Sequence, residues 1–454
     1  MKEFKVGYSE VNVNPSLNYP IHGYYMERCG QGFIDDLMAS ALAVRCDGVT
    51  VLIISVDNGG FKQEVIEKFL VSINARVGLD KDNIFISATH SHTAPSTFYP
   101  EFFEADEELI NSYINFLAEK LAGISEKAIE DLKPSEMGYA VGHAPDRVAY
   151  IRRYRMKDGS TCTCPPINDE NIDAPIGELD QRVNVIRFKR EDAPDVVIMN
   201  YGVHADTVNG DLYCSDWIGW TRKTVALALE GTKCMCIMGA QGDVGSTNVH
   251  PIPGDMNDTE ISFDNEMKSP GMARFVGRAL AGVILQLYDK VAFTSVDAVK
   301  AIKEVLPIKM NIPDKKDMPL ARKYKELYES GRSDEIPYEC MELTTVVAES
   351  LRMCKMENDP DTSYLNISGL RIGSVALVSI PGEPFTDIGV QIKDTEGYDL
   401  ILPCAITNGY EGYFPVKSAF DEGGYEARTS PYKKGIAEDI VSCAKSMLGK
   451  LKLS

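Results

Sequence analysis

A chain of 454 residues with 44% hydrophobic and 25% charged side chains has an ordinary globular composition, which excludes disordered and collagen-like architectures. Forty-seven basic against 67 acidic side chains leave a formal charge of −20. That charge repels phosphate backbones, so nucleic acid is excluded as a partner, and it disfavours docking on anionic lipid headgroups.

In chain order, the N-terminal segment Met1–Val13 has no apolar stretch of signal-peptide length, and no later run is long enough to span a bilayer. Stable membrane insertion is therefore not expected. Alternation and β-branched runs predict strands at Lys5–Val13, Ala41–Val56, Ile84–Thr89, Val183–Phe188, Val196–Tyr201, Cys234–Met238, Val291–Val305, Leu365–Ile380 and Leu400–Ala405. Helical periodicity marks Lys62–Val77, Glu107–Ala128, Ile218–Leu229, Gly271–Leu287, Pro319–Ser330 and Gly435–Leu448. Strands and helices intermix throughout, so the expected class is α/β: mixed β-sheets flanked by helices, in one large catalytic domain spanning residues 1–454. Thr161–Pro175 and His250–Ser269 read as long surface loops. The eleven cysteines include the pairs Cys162/Cys164 and Cys234/Cys236, neither with zinc-knuckle spacing. An odd count makes a poor disulfide framework, so reduced thiols in the cytoplasm are expected.

There are six histidines. His90 and His92 follow the apolar run Asn83–Ile86, and side chains two apart on a strand point to one face. His204 follows the β-rich run Val196–Asn200, and Ser215-Asp216 leads into a helix that either residue would cap. Histidines just past two strand ends suit a ligand site, because α/β sheets bind at strand ends. Pro381-Gly382-Glu383 closes a third apolar strand, where a solvated helix-start carboxylate is the plainer reading. A Gly-rich tyrosine loop, Asn408–Pro415, precedes Gly423-Gly424-Tyr425, and packing is the default role for Tyr410.

Together these elements resemble the neutral, non-lysosomal ceramidase family from Val6 to Tyr425. His90-Ser91-His92-Thr93 with Ala94-Pro95 is similar to the family's first histidine element, and Val203-His204 to the second. Ser215-Asp216 is similar to its serine–aspartate pair, Pro381-Gly382-Glu383 to its P-G-E strand end, and the twelve-residue spacing from Tyr413 to Tyr425 to its tyrosine loop. The resemblance implies a zinc amidohydrolase with His90, His204, Glu383 and Tyr413 as metal ligands. It implies that His92 and Tyr425 hold the scissile carbonyl and its oxyanion, and that an arginine, Arg152 or Arg153, faces the substrate.

The chemistry is consistent with that implication. Zinc favours nitrogen and oxygen ligands with one position left open, it acidifies water to a pKa of about 7, and a nearby dication lowers a phenol's pKa. Two departures shape the expected activity. The family's G-D-V-S-P-N element reads Gly242-Asp243-Val244-Gly245-Ser246-Thr247-Asn248, with glycine in the serine position and Ser246 one step late. Metal-activated water is then the expected nucleophile, and Asp243 a proton-handling or supporting group. The family's β-sandwich after the tyrosine loop has no counterpart in Pro431–Leu448 and the few residues beyond it, so a small N-acyl compound is expected rather than long-chain ceramide. A zinc hydrolase of another amide or ester, and a metal-binding protein without turnover, remain the alternatives. The sequence leaves homo-oligomer formation open.

Overall fold

The computed structural model describes residues 3–98, 107–251 and 268–453. A large mixed sheet runs in the spatial order Lys233–Met238, Val196–Tyr201, Arg182–Arg190, Lys133–His143, Phe4–Asn12, Met38–Cys46, Val49–Val56, Ile84–Ala88, and Ala292–Thr294 adds a ninth strand against Lys133–His143. A second sheet has the order Val299–Lys309, Thr362–Ile372, Val375–Ile380, Leu400–Ala405.

The apolar runs are long because both faces of these strands are covered. In Val49–Val56, Leu52, Ile54 and Val56 join one core with Ile66, Phe69 and Ile73 of helix Gln63–Val77 and Ile114, Leu117 and Leu121 of helix Glu107–Glu130. The alternate residues Val51 and Ile53 share a second core with Leu370, Ile372, Leu377 and Leu402 of the smaller sheet. The far face of that sheet packs Ile367, Val378 and Ile401 against Ile388, Ile392, Ile440 and Met447 of the last two long helices. The result is four layers, helices–sheet–sheet–helices, which is the expected class of mixed sheets flanked by helices. Among the described residues no helix is long and apolar enough to cross a membrane.

Within these two sheets three strand pairs are parallel: Val49–Val56 with Ile84–Ala88, Val196–Tyr201 with Lys233–Met238, and Val375–Ile380 with Leu400–Ala405. The two sheets are stitched together at one end of these pairs. There Ala88 N–H donates to Ile406 O (3.0 Å), Asn408 N–H to Ile86 O (2.8 Å), and the Asn408 side chain accepts from Ile86 N–H (2.9 Å).

Some element boundaries differ from the periodicity. Ala41–Val56 is two antiparallel strands folded at Asp47-Gly48, where both residues take left-handed φ angles (51° and 83°), a short hairpin turn that Asp-Gly favours. Leu365–Ile380 is likewise split at Gly373. Val291–Val305 divides between the sheets, as Ala292–Thr294 and Val299–Lys309. Thr161–Pro175 is not all loop: Thr161–Thr163 and Ile172–Pro175 flank Arg153–Met156 in a small antiparallel sheet. Of the expected loop His250–Ser269, residues 252–267 lie outside the described residues.

Candidate active site

His90, His204, Glu383 and the tyrosine loop follow the C-terminal ends of strands in the three parallel pairs, at the place where the sheets are stitched together. His90 sits two residues past its strand with a left-handed φ of 59°, a strained conformation for a side-chain-bearing residue that marks functional positions. Its backbone N–H is held by Asn58 O (2.9 Å), and its Nδ1 lies 2.6 Å from Gly59 O. His204 Nδ1 faces Gln241 O (2.8 Å) and Val244 O (3.0 Å). A carbonyl only accepts, so both rings carry a proton on Nδ1 and turn Nε2 toward the pocket, the orientation that metal-binding imidazoles take.

Those nitrogens meet a carboxylate. Glu383 Oε2 lies 3.0 Å from His204 Nε2 and 3.4 Å from His90 Nε2. His90 Nε2 and Glu383 Oε2 are buried without any hydrogen-bond partner. The other oxygen, Oε1, accepts from Tyr410 O–H (2.9 Å). Burial works against charge on Glu383, yet His90 and His204 hold its pKa well below the carboxylate range. Burial also opposes a charged His90, but Glu383 and the Gly59 carbonyl raise its pKa, whereas burial and then Arg152 lower that of His204. Three ligand-type atoms converging in a buried pocket, two of them unpaired, fit a cation: unpaired buried polar atoms are rare and costly, and the donor set of two imidazoles and a carboxylate suits zinc.

His92 stands beside this set. One ligand atom each from His90, His92 and His204 lies within 4.8 Å of the others, so His92 is within reach of the same ion. Both His92 ring nitrogens are buried without a hydrogen bond, Nδ1 lying 3.6 Å from Asp206 Oδ1, and burial followed by its histidine neighbours drives its pKa well down.

Tyr413 pairs with Glu383 through the two-stranded parallel ladder Glu383–Pro384/Tyr413–Phe414. Its hydroxyl accepts from Arg152 Nη2 (3.1 Å), which also donates to Gly242 O (2.9 Å), while Arg152 Nη1 lies 3.4 Å from His204 Nε2. Arg152 Nε is anchored on Glu426 Oε1 (2.7 Å). Arg153 turns away, to Glu422 and the Gly423 carbonyl, so of the two candidate arginines Arg152 faces the site. The Tyr425 ring packs edge-on to Tyr413 (centroids 5.7 Å), and its hydroxyl lies 3.4 Å from that of Tyr25.

Asp243 is set further back. Its Oδ1 accepts from Thr386 N–H and Thr386 Oγ1 (both 2.8 Å), which ties down the start of helix Thr386–Lys393 three residues after Glu383. Burial pushes its pKa up to about 6 against those hydrogen bonds. The carboxyl thus supports the Glu383 turn from behind. Asp216 is likewise structural, accepting from Thr207 and from the first turn of its own helix.

Sequence reasoning passed over the segment Ile21–Cys29, which crosses the site. His22 lies 5.6 Å from His90, 5.9 Å from His92 and 5.7 Å from Tyr410, ring centre to ring centre. Gly23 (φ 116°) lies where a Cβ would come within 2.8 Å of the His92 ring. Tyr24 O–H donates to Asp206 (2.5 Å), which also takes Lys268 Nζ (2.5 Å), and Arg28 Nη2 donates to the carbonyls of both His22 and His92. The available signal was scarcity: four of six histidines gather here, while His143 and His250 do not. Tyr410, read as packing, is a hydrogen-bond partner of Glu383 instead.

No protein-family model matches the chain, and no curated protein matches it by sequence. Among solved structures, the whole chain superposes on 75% of a neutral ceramidase from Pseudomonas aeruginosa, at a TM-score of 0.73 and 16% identity. It also superposes in full on 76% of a ceramidase complexed with C2, at a TM-score of 0.72 and 14% identity. At such identities what is shared is the architecture: this chain has the neutral ceramidase fold from end to end.

Proposed function

We propose that the protein is a metal-dependent hydrolase of amide bonds, with zinc as the ion and a small N-acyl compound as the substrate. The observation that carries this reading is the convergence of His90 Nε2, His204 Nε2 and Glu383 Oε2 in one buried pocket, where His90 Nε2 and Glu383 Oε2 have no hydrogen-bond partner. Tyr413 is the fourth ligand in this reading. Zinc held there supplies Lewis acidity and lowers the pKa of water to about 7. The chain's own groups do the rest. Arg152 brings a buried positive charge beside the Tyr413 hydroxyl, where it offsets negative charge that develops on a carbonyl oxygen. His92 and Tyr425 are the neutral groups that orient that carbonyl. A metal store needs none of these three, which favours turnover. The shared fold supports an amide substrate, because the two solved structures described above are ceramidases.

Turnover of a panel of N-acyl amides, assayed before and after chelation and with zinc restored, tests the proposal. Chelator-sensitive cleavage of at least one amide is expected, and full activity in chelated, metal-free protein contradicts it. Within that assay, Tyr425→Phe is expected to keep its metal and lose about 10²–10³ in kcat, the usual cost of one oxyanion donor. Near-normal kcat rejects that role. Ser246→Ala is expected to retain most activity. Ser246 is buried, and among the described residues no base hydrogen-bonds its hydroxyl, whereas a serine nucleophile needs one. A loss as deep as that of a ligand variant, in protein that still holds metal, would restore a serine mechanism.

A further inference from the structure

We propose that Tyr25 is a positioning residue for the reaction: its hydroxyl holds that of Tyr425 in place, and donates to it while Tyr425 donates to the oxyanion. This rests on the amide-hydrolase reading above and on the part given there to Tyr425.

Tyr425 opens a helix too short to place itself. Tyr425–Thr429 has five residues, follows Gly423 and Gly424 with their positive φ angles (81° and 89°), and has no side-chain cap at its start. A first helical turn is unfavourable on its own, so the position of this one is set from outside. Helix Cys340–Met356 supplies the outer support. Arg428 Nε and Nη2 donate to Glu349 Oε2 (3.0 and 2.6 Å) and Nη1 to Glu342 Oε1 (2.6 Å), two carboxylates on one face of that helix. Arg352 of the same helix donates from Nε to Arg428 O (3.0 Å). On the inner side Glu426 takes Arg152 Nε (2.7 Å).

The same support holds Tyr25. Helix Met318–Glu329 packs on Cys340–Met356, and its Tyr328 O–H donates to Tyr25 O. The Tyr25 side chain rests on the buried cluster of Tyr324, Leu327, Val346, Val347 and Leu351, drawn from both helices. One helical pair thus fixes two phenols that are 400 residues apart in the chain, and their hydroxyl oxygens meet at 3.4 Å.

A phenol has one proton and a free acceptor site, and the proton turns to suit its partners. In the free site Tyr425 O–H donates to Tyr25 Oη. With a carbonyl bound, the Tyr425 proton turns to the developing oxyanion, and Tyr25 O–H donates to Tyr425 Oη in its place. Linked hydrogen bonds polarise one another, so the second bond strengthens Tyr425 as a donor. A separation of 3.4 Å is long for such a bond, and catalytic hydrogen bonds commonly tighten only as the transition state forms. Packing alone asks nothing of the Tyr25 hydroxyl, since phenylalanine fills the same place against the cluster.

The test uses the metal-loaded enzyme, one amide that the wild type cleaves, and the phosphinate analogue of that amide, whose tetrahedral anion stands in for the oxyanion. Tyr25→Phe is expected to lower kcat by about 5- to 10-fold, the size of one neutral hydrogen bond, with KM, metal content and melting temperature unchanged. Binding of the phosphinate, read by calorimetry, should weaken by the same factor. In a Tyr425→Phe background, adding Tyr25→Phe should change neither quantity, because the hydroxyl it acts through is gone. No loss in Tyr25→Phe, or an equal loss in both backgrounds, overturns the assignment and leaves the amide-hydrolase reading intact. A wild type that cleaves no amide, or a near-normal kcat in Tyr425→Phe, overturns the reading it rests on and the assignment with it.

Discussion

Arg152→Met is expected to lower kcat by about 10²–10³, the cost of removing a preorganised charge from where an oxyanion forms. The side chain is held at four points: Glu426 Oε1, Gly242 O, Tyr413 Oη and the neighbourhood of His204 Nε2. Burial opposes its charge, but Tyr413 and Glu426 outweigh burial and its pKa is raised. The guanidinium thus stays charged wherever the protein is folded. The substitution also leaves Glu426, fully buried, with only the Thr163 hydroxyl at 2.8 Å and the longer Arg153 Nε contact at 3.9 Å. Breaking a buried ion pair from one side costs about 3–5 kcal/mol, so the single variant will be less stable as well as slow. The double variant Arg152→Met/Glu426→Gln separates the two effects. Its melting temperature should recover most of the loss, while kcat should not. Recovery of kcat together with stability would make Arg152 a strut and not a catalytic residue.

Glu383→Gln is expected to weaken metal binding by more than about 100-fold, beyond what changes to outer-shell partners of a metal site cost, and to abolish amide turnover at ambient metal. The substitution puts an amide group where Oε2 now faces His90 and His204. Tyr410→Phe is the graded control. It removes only the hydrogen bond to Oε1, and a loss of about 10–100-fold in affinity is the outer-shell expectation. Competition with a chromogenic chelator reads both. If Glu383→Gln held metal as tightly as the wild type, the ligands would be the three histidines His90, His92 and His204, whose ring nitrogens also converge.

The groups that were legible in the sequence are those attached to the end of an apolar strand. His90, His204 and Glu383 each follow a buried β-run within three residues, so the strand's own pattern announces where its end lies. What was not legible depends on which strand ends become neighbours, a matter of sheet order rather than local pattern. Tyr410 and Tyr413 sit three apart in one glycine-rich loop, and nothing local separates the partner of Glu383 from the partner of Arg152. The pairing of Glu383 with Tyr413 across a two-residue ladder decides it. Arg152 and Arg153 were equivalent in sequence. Arg152 falls between the short strands Tyr150–Ile151 and Arg153–Met156, and there the two side chains part, one to His204 and the other to Glu422.

The segment Ile21–Cys29 carries no strand or helix pattern at all. It reaches the site by lying across it, through an isolated bridge between Ile21 and Pro95, so His22, Tyr24 and Arg28 gave no positional signal. Asp243 was legible as a residue of interest but not in its role, because Thr386, its partner, is 143 residues away. In the fold, the large errors of boundary fall at tight turns within continuous apolar runs. At Asp47-Gly48 and Gly373 burial on both faces removes the contrast that would have marked the break.

The most direct measurement is elemental analysis of purified wild type and His204→Ala, prepared side by side. One equivalent of zinc per chain in the wild type and less than about a tenth of that in the variant is the predicted result, since His204 Nε2 is one of the proposed ligand atoms and its loss opens the site. A full equivalent of metal in His204→Ala, or no metal in wild-type protein that still cleaves amides, would contradict it.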